Sequence, residues 1–209
     1  MSLKGKRILI TAGPTWVSLD PVRVISNTAS GETGRRLAYA CAQAGAQVTL
    51  LLGPGEAPAP DKRICVRRFR FFDELDRSLR AELRKKYDAV VHSAAVSDYR
   101  PQRVSRAKIS SRMKRWSCTF VPTPKLIERI RTAAPDSLAI GFKFEPEAAY
   151  PALISSAARL MRTCRLDGVV ANTVAGGRYK AYIVTPLAAP RPCSSKAELV
   201  KELARMVSR

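Results

Sequence analysis

The residues best placed for chemistry fall in five short segments. Thr11-Ala12-Gly13-Pro14-Thr15 and Ser30-Gly31-Glu32-Thr33-Gly34 combine glycines with small hydroxyl residues. The second opens an amphipathic stretch, and a glycine-rich turn at a helix start leaves backbone N–H groups free for an anion. The spacing is neither Gly-x-Gly-x-x-Gly nor a P-loop, since no Gly-Lys-Ser/Thr follows. Spacing alone favours a tight turn with close helix–strand packing.

The third segment is Ser93-Ala94-Ala95-Val96-Ser97-Asp98-Tyr99-Arg100-Pro101. Its small residues let a base or sugar approach the backbone, and Asp98 can accept hydrogen bonds from ligand amino or hydroxyl groups. An ordinary turn capped by Asp98 is the plainer alternative. Lys108, in Arg106-Ala107-Lys108-Ile109, can hold a phosphate as a point charge. In Gly141-Phe142-Lys143, Phe142 offers a flat apolar surface or a core side chain. Asn172 closes Leu166-Asp167-Gly168-Val169-Val170-Ala171-Asn172 and is expected to end a strand.

These segments need a frame. Lys6–Thr11, Ala46–Leu52, Cys65–Phe69, Tyr87–Ser93, Leu138–Phe144, Gly168–Asn172 and Arg178–Thr185 read as strands, rich in β-branched and apolar residues. Gly34–Ala44, Phe72–Lys86, a stretch from Thr123-Pro124, Ala148–Arg165 and Ser194–Val207 read as helices. Gly45 is placed to end the first helix, and Ser194 or Ser195 with Glu198 forms a capping-box pattern for the last. The stretch from Gly13 to Ser30, Gly53–Pro60 and Ala94–Arg106 read as loops, and Trp116–Val121 as an edge strand. Strands alternating with helices predict a Rossmann-like, doubly wound α/β fold: a mostly parallel sheet with helices on both faces, one domain over residues 1–209. Such sheets bind ligands beyond the carboxyl ends of their strands, where the five segments fall.

Composition narrows the class. No apolar run approaches the roughly 20 residues of a membrane span, and no signal-peptide pattern opens the sequence. A cytoplasmic protein with no membrane association is therefore expected. The five cysteines are widely spaced, with no Cys-x-x-Cys, which argues against a disulfide framework or zinc site. The single histidine, His92, lies within a strand and reads as a core residue. The 37 Lys and Arg against 17 Asp and Glu give a net charge of +20, a field that attracts anions. Tyr99–Ile127 holds no acid, but Arg100, Arg103, Arg106, Lys108, Arg112, Lys114, Arg115 and Lys125.

Taken in order, the segments resemble the phosphopantothenoylcysteine synthetase (phosphopantothenate–cysteine ligase) family, over nearly the whole chain. The matching parts are Thr11–Thr15, Asp20-Pro21-Val22-Arg23, Ile25-Ser26-Asn27, Ser30-Gly31-x-x-Gly34, Ala94-Ala95-Val96-x-Asp98-Tyr99-Arg100-Pro101, Lys108-Ile109, Gly141-Phe142 and Ala171-Asn172. The resemblance implies a ligase that condenses 4′-phosphopantothenate with cysteine in coenzyme A biosynthesis. It passes through an acyl-nucleotide and releases pyrophosphate and a nucleoside monophosphate. The co-substrate is CTP in the bacterial type or ATP in the animal type, with Mg²⁺. Asn27 takes the position of the asparagine that engages the acyl intermediate, and Lys108 that of the lysine of the first step. Gly13, Ser30, Gly31, Gly34, Ala94, Ala95, Asp98, Phe142 and Asn172 join Lys108 on the nucleotide side. A homodimer is implied, with no flavin of its own. In many bacteria this domain follows a flavin-dependent decarboxylase, so a separate phosphopantothenoylcysteine decarboxylase is an expected partner.

The chain departs from the family at Trp16-Val17, at Glu32, over Arg162-Thr163-Cys164-Arg165 and in the short Ala175–Tyr179 segment. Two other readings remain at this level. An NAD(P)-dependent short-chain-type reductase suits the sheet, but no Tyr-x-x-x-Lys is present and Leu52-Gly53-Pro54 lacks a ribose-binding acid. A basic nucleic-acid-binding module suits the charge, although only Trp116 and Phe120 interleave the basic run.

Overall fold

The computed structural model describes residues 2–56 and 61–208. The end of the expected Gly53–Pro60 loop, residues 57–60, lies outside them. The first strand, β1 (Arg7–Ala12), is followed by the short strands β2 (Trp16–Ser18) and β3 (Val24–Ser26), then by helix α1 (Glu32–Gln43). Next come β4 (Gln47–Leu52), β5 (Ile64–Arg68), α2 (Phe72–Leu83) and β6 (Ala89–His92). The short strands β7 (Tyr99–Pro101) and β8 (Phe120–Pro122) precede α3 (Leu126–Ala133), β9 (Leu138–Phe144) and α4 (Tyr150–Cys164). The chain closes with β10 (Gly168–Ala175), β11 (Arg178–Thr185), β12 (Ala188–Cys193) and α5 (Lys196–Met206).

Eight strands form one sheet in the order β12-β11-β10-β9-β6-β1-β4-β5. From β5 to β10 every pairing is parallel, while β11 and β12 run antiparallel. The chain winds outward from β1 through β4 to β5, then returns across β1 to β6. That reversal leaves a crevice beyond the carboxyl ends of β1 and β6.

The sheet carries a core on each face, which confirms the doubly wound reading. On one face Ile8, Ile10, Leu50, Val91 and Val170 pack with α1 and α5 through Leu37, Cys41, Leu199 and Leu203. On the other, Leu9, Leu51, Val90 and Val169 pack with α2, α3 and α4 through Leu75, Leu79, Ile130, Leu153 and Ala157. Alternate residues of one strand thus serve opposite cores, and this requires the continuous apolar runs seen in β1 and β4. Gly45 has a φ of 102° just past α1, as its place in the sequence predicts. Ser195 Oγ accepts from the Glu198 N–H at 3.1 Å, and Glu198 accepts from the Ser194 N–H at 2.8 Å, so both serines take part in capping α5.

Several expectations are corrected. Two of the stretches read as loops, those after Gly13 and after Ala94, hold strands. β2 and β3 form one antiparallel ribbon after Gly13, and β7 pairs with β8 in a second. The expected strand at Trp116 is confined to β8 and joins that ribbon rather than the main sheet. β10 does not stop at Asn172; antiparallel pairing carries it to Ala175, opposite Arg178. Gly176 and Gly177, both at positive φ (55° and 72°), make the two-residue turn into β11. β12 forms the sheet's border although Pro190 and Pro192 lack N–H donors.

Candidate functional site

The ends of β1 and β6 are stitched together by backbone. The Ser93 N–H donates to the Thr11 carbonyl at 3.0 Å, the Ala95 N–H to the Gly13 carbonyl at 2.9 Å, and the Thr15 N–H to the Ala95 carbonyl at 3.2 Å. The start of α1 is pressed against this seam. A Cβ on Gly34 would meet Ala12 Cβ at 2.5 Å and Ser93 Oγ at 2.7 Å. One on Gly31, whose φ is 70°, would meet the Gly13 backbone at 2.8 Å. Only glycine fits, so the close-packing explanation of these residues holds. The same packing leaves the α1 start beside the seam, where Ser30 Oγ, at 3.3 Å from the Glu32 nitrogen, is the one side-chain cap among the described residues.

His92 is buried, with Nδ1 2.9 Å from Thr11 Oγ1. Thr11 Oγ1 also accepts the Ala94 N–H at 3.2 Å. Burial pushes the His92 pKa down to about 4. The histidine is a core strut that holds the Ala94 turn, as its strand position predicts.

The two ribbons bring in the more distant residues. Asn27 follows β3, and its Nδ2 donates to the Ala95 carbonyl at 3.0 Å. Its second Nδ2 hydrogen and its Oδ1 have no hydrogen-bond partner among the described residues. Lys108 is exposed, and its neighbour Ile109 is tied down. The Ile109 N–H donates to Asp20 Oδ2 at 3.1 Å, and Arg23 Nη1 donates to the Ile109 carbonyl at 3.1 Å. Asp20 also accepts from the Val22 and Arg23 N–H groups at 2.9 and 2.8 Å. Burial raises the Asp20 carboxyl, but these donors and the Arg23 charge outweigh it and hold its pKa below the usual carboxylate value. The Asp20–Arg23 clamp thus joins the segment carrying Lys108 to the ribbon that leads to Asn27.

Asp98 follows the seam and is exposed. Its side chain accepts from Lys125 Nζ at 2.6 Å, and its carbonyl from the Thr123 N–H at 2.9 Å. On the next strands, Phe142 is half-buried against the α1/α5 core. Asn172 is in register with Phe144 and, by alternation from Val170, projects to that same face. Its Oδ1 is buried and has no hydrogen-bond partner among the described residues. The expected residues therefore form one group around the seam (Gly13, Asn27, Ser30, Gly31, Gly34, Ala94, Ala95), with Asp98 and Lys108 on its ribbon side. Phe142 and Asn172 form a second group, one and two strands away from β6.

Sequence reasoning gave no role to Asp20, Arg23, Lys125 or Arg35. Arg35 lies in the first turn of α1, where cations are disfavoured by the helix dipole. Its Nη2 donates to Glu56 at 3.0 Å, while its buried Nε has no acceptor among the described residues. A cation in a helix's first turn is the signal that could have marked it.

Known proteins bear on this arrangement. The "coenzyme A biosynthesis bifunctional protein CoaBC" of Thermococcus kodakarensis is 36% identical over 97% of this chain and 51% of its own length. The chain spans about half the length of the curated relatives it matches. The crystal structure of the DNA/pantothenate metabolism flavoprotein from Streptococcus pneumoniae shares the fold with a TM-score of 0.88, at 23% identity over 97% of this chain and 98% of that one. A Cab2 mutant in complex with phosphopantothenate-cysteine shares it with a TM-score of 0.78, at 17% identity over 97% of this chain and 86% of that one. Because the family model described as "DNA/pantothenate metabolism flavoprotein C-terminal domain" matches residues 3–208, the chain belongs to that family.

Proposed function

We propose that this chain is a phosphopantothenate–cysteine ligase of coenzyme A biosynthesis. The observation that carries the reading is the meeting of Asn27 with Ala95 at the β1–β6 seam, beside the glycine-flanked start of α1. Family membership and the names of the relatives support the same conclusion.

In the first step, the carboxylate of 4′-phosphopantothenate attacks the α-phosphorus of a nucleoside triphosphate, and pyrophosphate leaves. Lys108, on the segment that the Asp20–Arg23 clamp ties to the β2–β3 ribbon, neutralises phosphate charge as it builds. The α1 start and the glycine seam receive phosphate oxygens through backbone N–H groups. In the second step, the cysteine amine attacks the acyl carbonyl and the nucleoside monophosphate departs. The free Nδ2 hydrogen of Asn27 donates to the oxygen on which negative charge develops. The Ala95 carbonyl orients that amide in advance.

The unpartnered Asn172 Oδ1 suits a donor on the nucleotide, with Phe142 as an apolar wall and Asp98 as an acceptor once Lys125 yields. CTP is the first choice of nucleotide and ATP the second. Among the described residues no three His, Cys, Asp or Glu side chains converge as a metal site. Magnesium is therefore proposed to travel on the triphosphate oxygens rather than in a protein cage. Flavin is assigned to the other half of the bifunctional relatives, and a separate decarboxylase is the proposed partner. Val24, Ile25, Tyr99 and Trp116 expose apolar surface on the two ribbons and the loop between β7 and β8. That surface supports a homodimer joined through the ribbons.

The test is pyrophosphate release from CTP, ATP, GTP and UTP with 4′-phosphopantothenate and cysteine. Release that depends on phosphopantothenate with one triphosphate is expected; none with any of the four ends the reading. Asn27→Ala should accumulate the acyl-nucleotide, whereas Lys108→Ala should suppress its formation. Full activity in both variants would remove these roles.

A further inference from the structure

An open cleft of about 690 Å³ lies between the starts of α1 and α5 and the β10–β11 turn. It adjoins the glycine seam through Glu32, the residue after Gly31, yet the steps above leave its side chains unused. Four cations line it, Arg36, Arg178, Lys180 and Lys196, against one carboxylate, Glu32. Glu32 pairs with Arg36 at 2.6 Å and with Lys196 at 2.5 Å. Arg178 and Lys180 have no ion-pair partner among the described residues, so the cleft keeps an excess of positive charge.

Two further features face the same space. Ser195 Oγ is taken by the Glu198 N–H, which leaves the Lys196 and Ala197 N–H groups without an acceptor among the described residues. Lys196 Nζ also sits 5.8 Å from the centre of the Tyr179 ring, which forms part of the wall. Cations gathered from three separate elements repel one another and gain nothing by folding together. A multivalent anion would turn that repulsion into attraction, whereas a single charge would be largely satisfied by water.

We propose that this cleft binds a polyphosphate group, held by Arg178, Lys180, Lys196 and the N–H groups at the start of α5. The occupant is two or more linked phosphates, either free pyrophosphate or the tail of a nucleoside triphosphate. Only the choice between these sources rests on the ligase reading. On binding, Lys196 divides its charge between Glu32 and the anion.

Calorimetry on the full chain with inorganic pyrophosphate at low salt tests the site directly. Binding is expected, with at least about tenfold loss in the Arg178→Ala/Lys180→Ala variant. Both side chains are exposed, so that variant should fold normally. Glu32→Gln should tighten binding by removing the carboxylate that competes for Lys196. If the triphosphate tail is the occupant, CTP competes with pyrophosphate and loses affinity in the double variant while CMP does not. If free pyrophosphate is the occupant, it still binds with saturating CTP present. No binding to the unmodified chain, or equal binding to the double variant, overturns the proposal. Pyrophosphate binding without ligase turnover would instead sink the ligase reading and leave the cleft standing.

Discussion

The seam and the ribbons beside it hold functional groups by opposite means. At the seam, β1, β6 and α1 approach so closely that backbone bonds and the short hydroxyls of Thr11, Thr15, Ser93 and Ser97 join the strand ends, and Gly31 and Gly34 leave no room for a methyl group. In the ribbons, large apolar side chains are exposed, and one carboxylate, Asp20, ties together segments far apart in the chain. The seam's geometry is therefore inseparable from folding stability. The ribbons' geometry can change while the sheet remains intact.

Substitutions can break this contrast. Gly31→Val should be the most damaging. It adds overpacking of about 1–3 kcal/mol to backbone strain of about 1–3 kcal/mol. Melting should fall by about 10 °C or more; an unchanged melting temperature would show that the seam is looser than described. Next comes acid. His92 binds its proton at about pH 4 when folded, against 6.5 as its ordinary value. The unfolded chain therefore binds more protons between these values. Stability from this residue is complete above pH 6.5, falls as the pH drops to 4 and is flat below, about 3 kcal/mol in all. Denaturant titrations across that range should show the slope, and His92→Gln should remove it.

Asp20→Asn should sharpen the contrast from the other side. It places an amide N–H against the Ile109 and Arg23 donors. In the proposed ligase reaction, kcat/KM should drop by about tenfold to a hundredfold as the segment carrying Lys108 loses its anchor, while melting shifts by only about 3 °C or less. Melting as depressed as in Gly31→Val would merge the two regions into one unit. Ile25→Ser should be mildest for folding, within about 0.5 kcal/mol for an exposed side chain. By light scattering, it should shift the proposed ribbon-joined dimer toward monomer.

The same division governs what the sequence reveals. The parallel strands are legible because burial on both faces demands apolar runs, as in Ile8–Ile10 and Leu50–Leu52. The glycines of the seam are legible as a turn, since their spacing points to close packing. The ribbons are not, because strands of three residues carry no periodicity, and Tyr99–Pro101 finds its partner only at Phe120–Pro122. β12 is hidden by its two prolines, which read as loop until β11 pairs with it. Asn172 reads as a strand end, and only the pairing of β10 with β11 carries the strand on to Ala175. The Asp20 clamp has its decisive partner 89 positions away at Ile109, beyond any local pattern. Asn27 is proposed through family likeness alone, whereas Lys108 also stands out in its own segment as a cation able to hold a phosphate.

The borders of the sheet carry one more consequence. A bare strand edge is a template on which a second copy can add its own strand, the first step toward fibrous growth. Here one margin is β12, where prolines withhold two donors, and the other is β5, whose arginines Arg67 and Arg68 are exposed. Neither margin invites a neighbour's backbone. A crowded solution of this highly cationic chain is thus guarded against indefinite sheet extension, and any self-association is steered toward contacts that close.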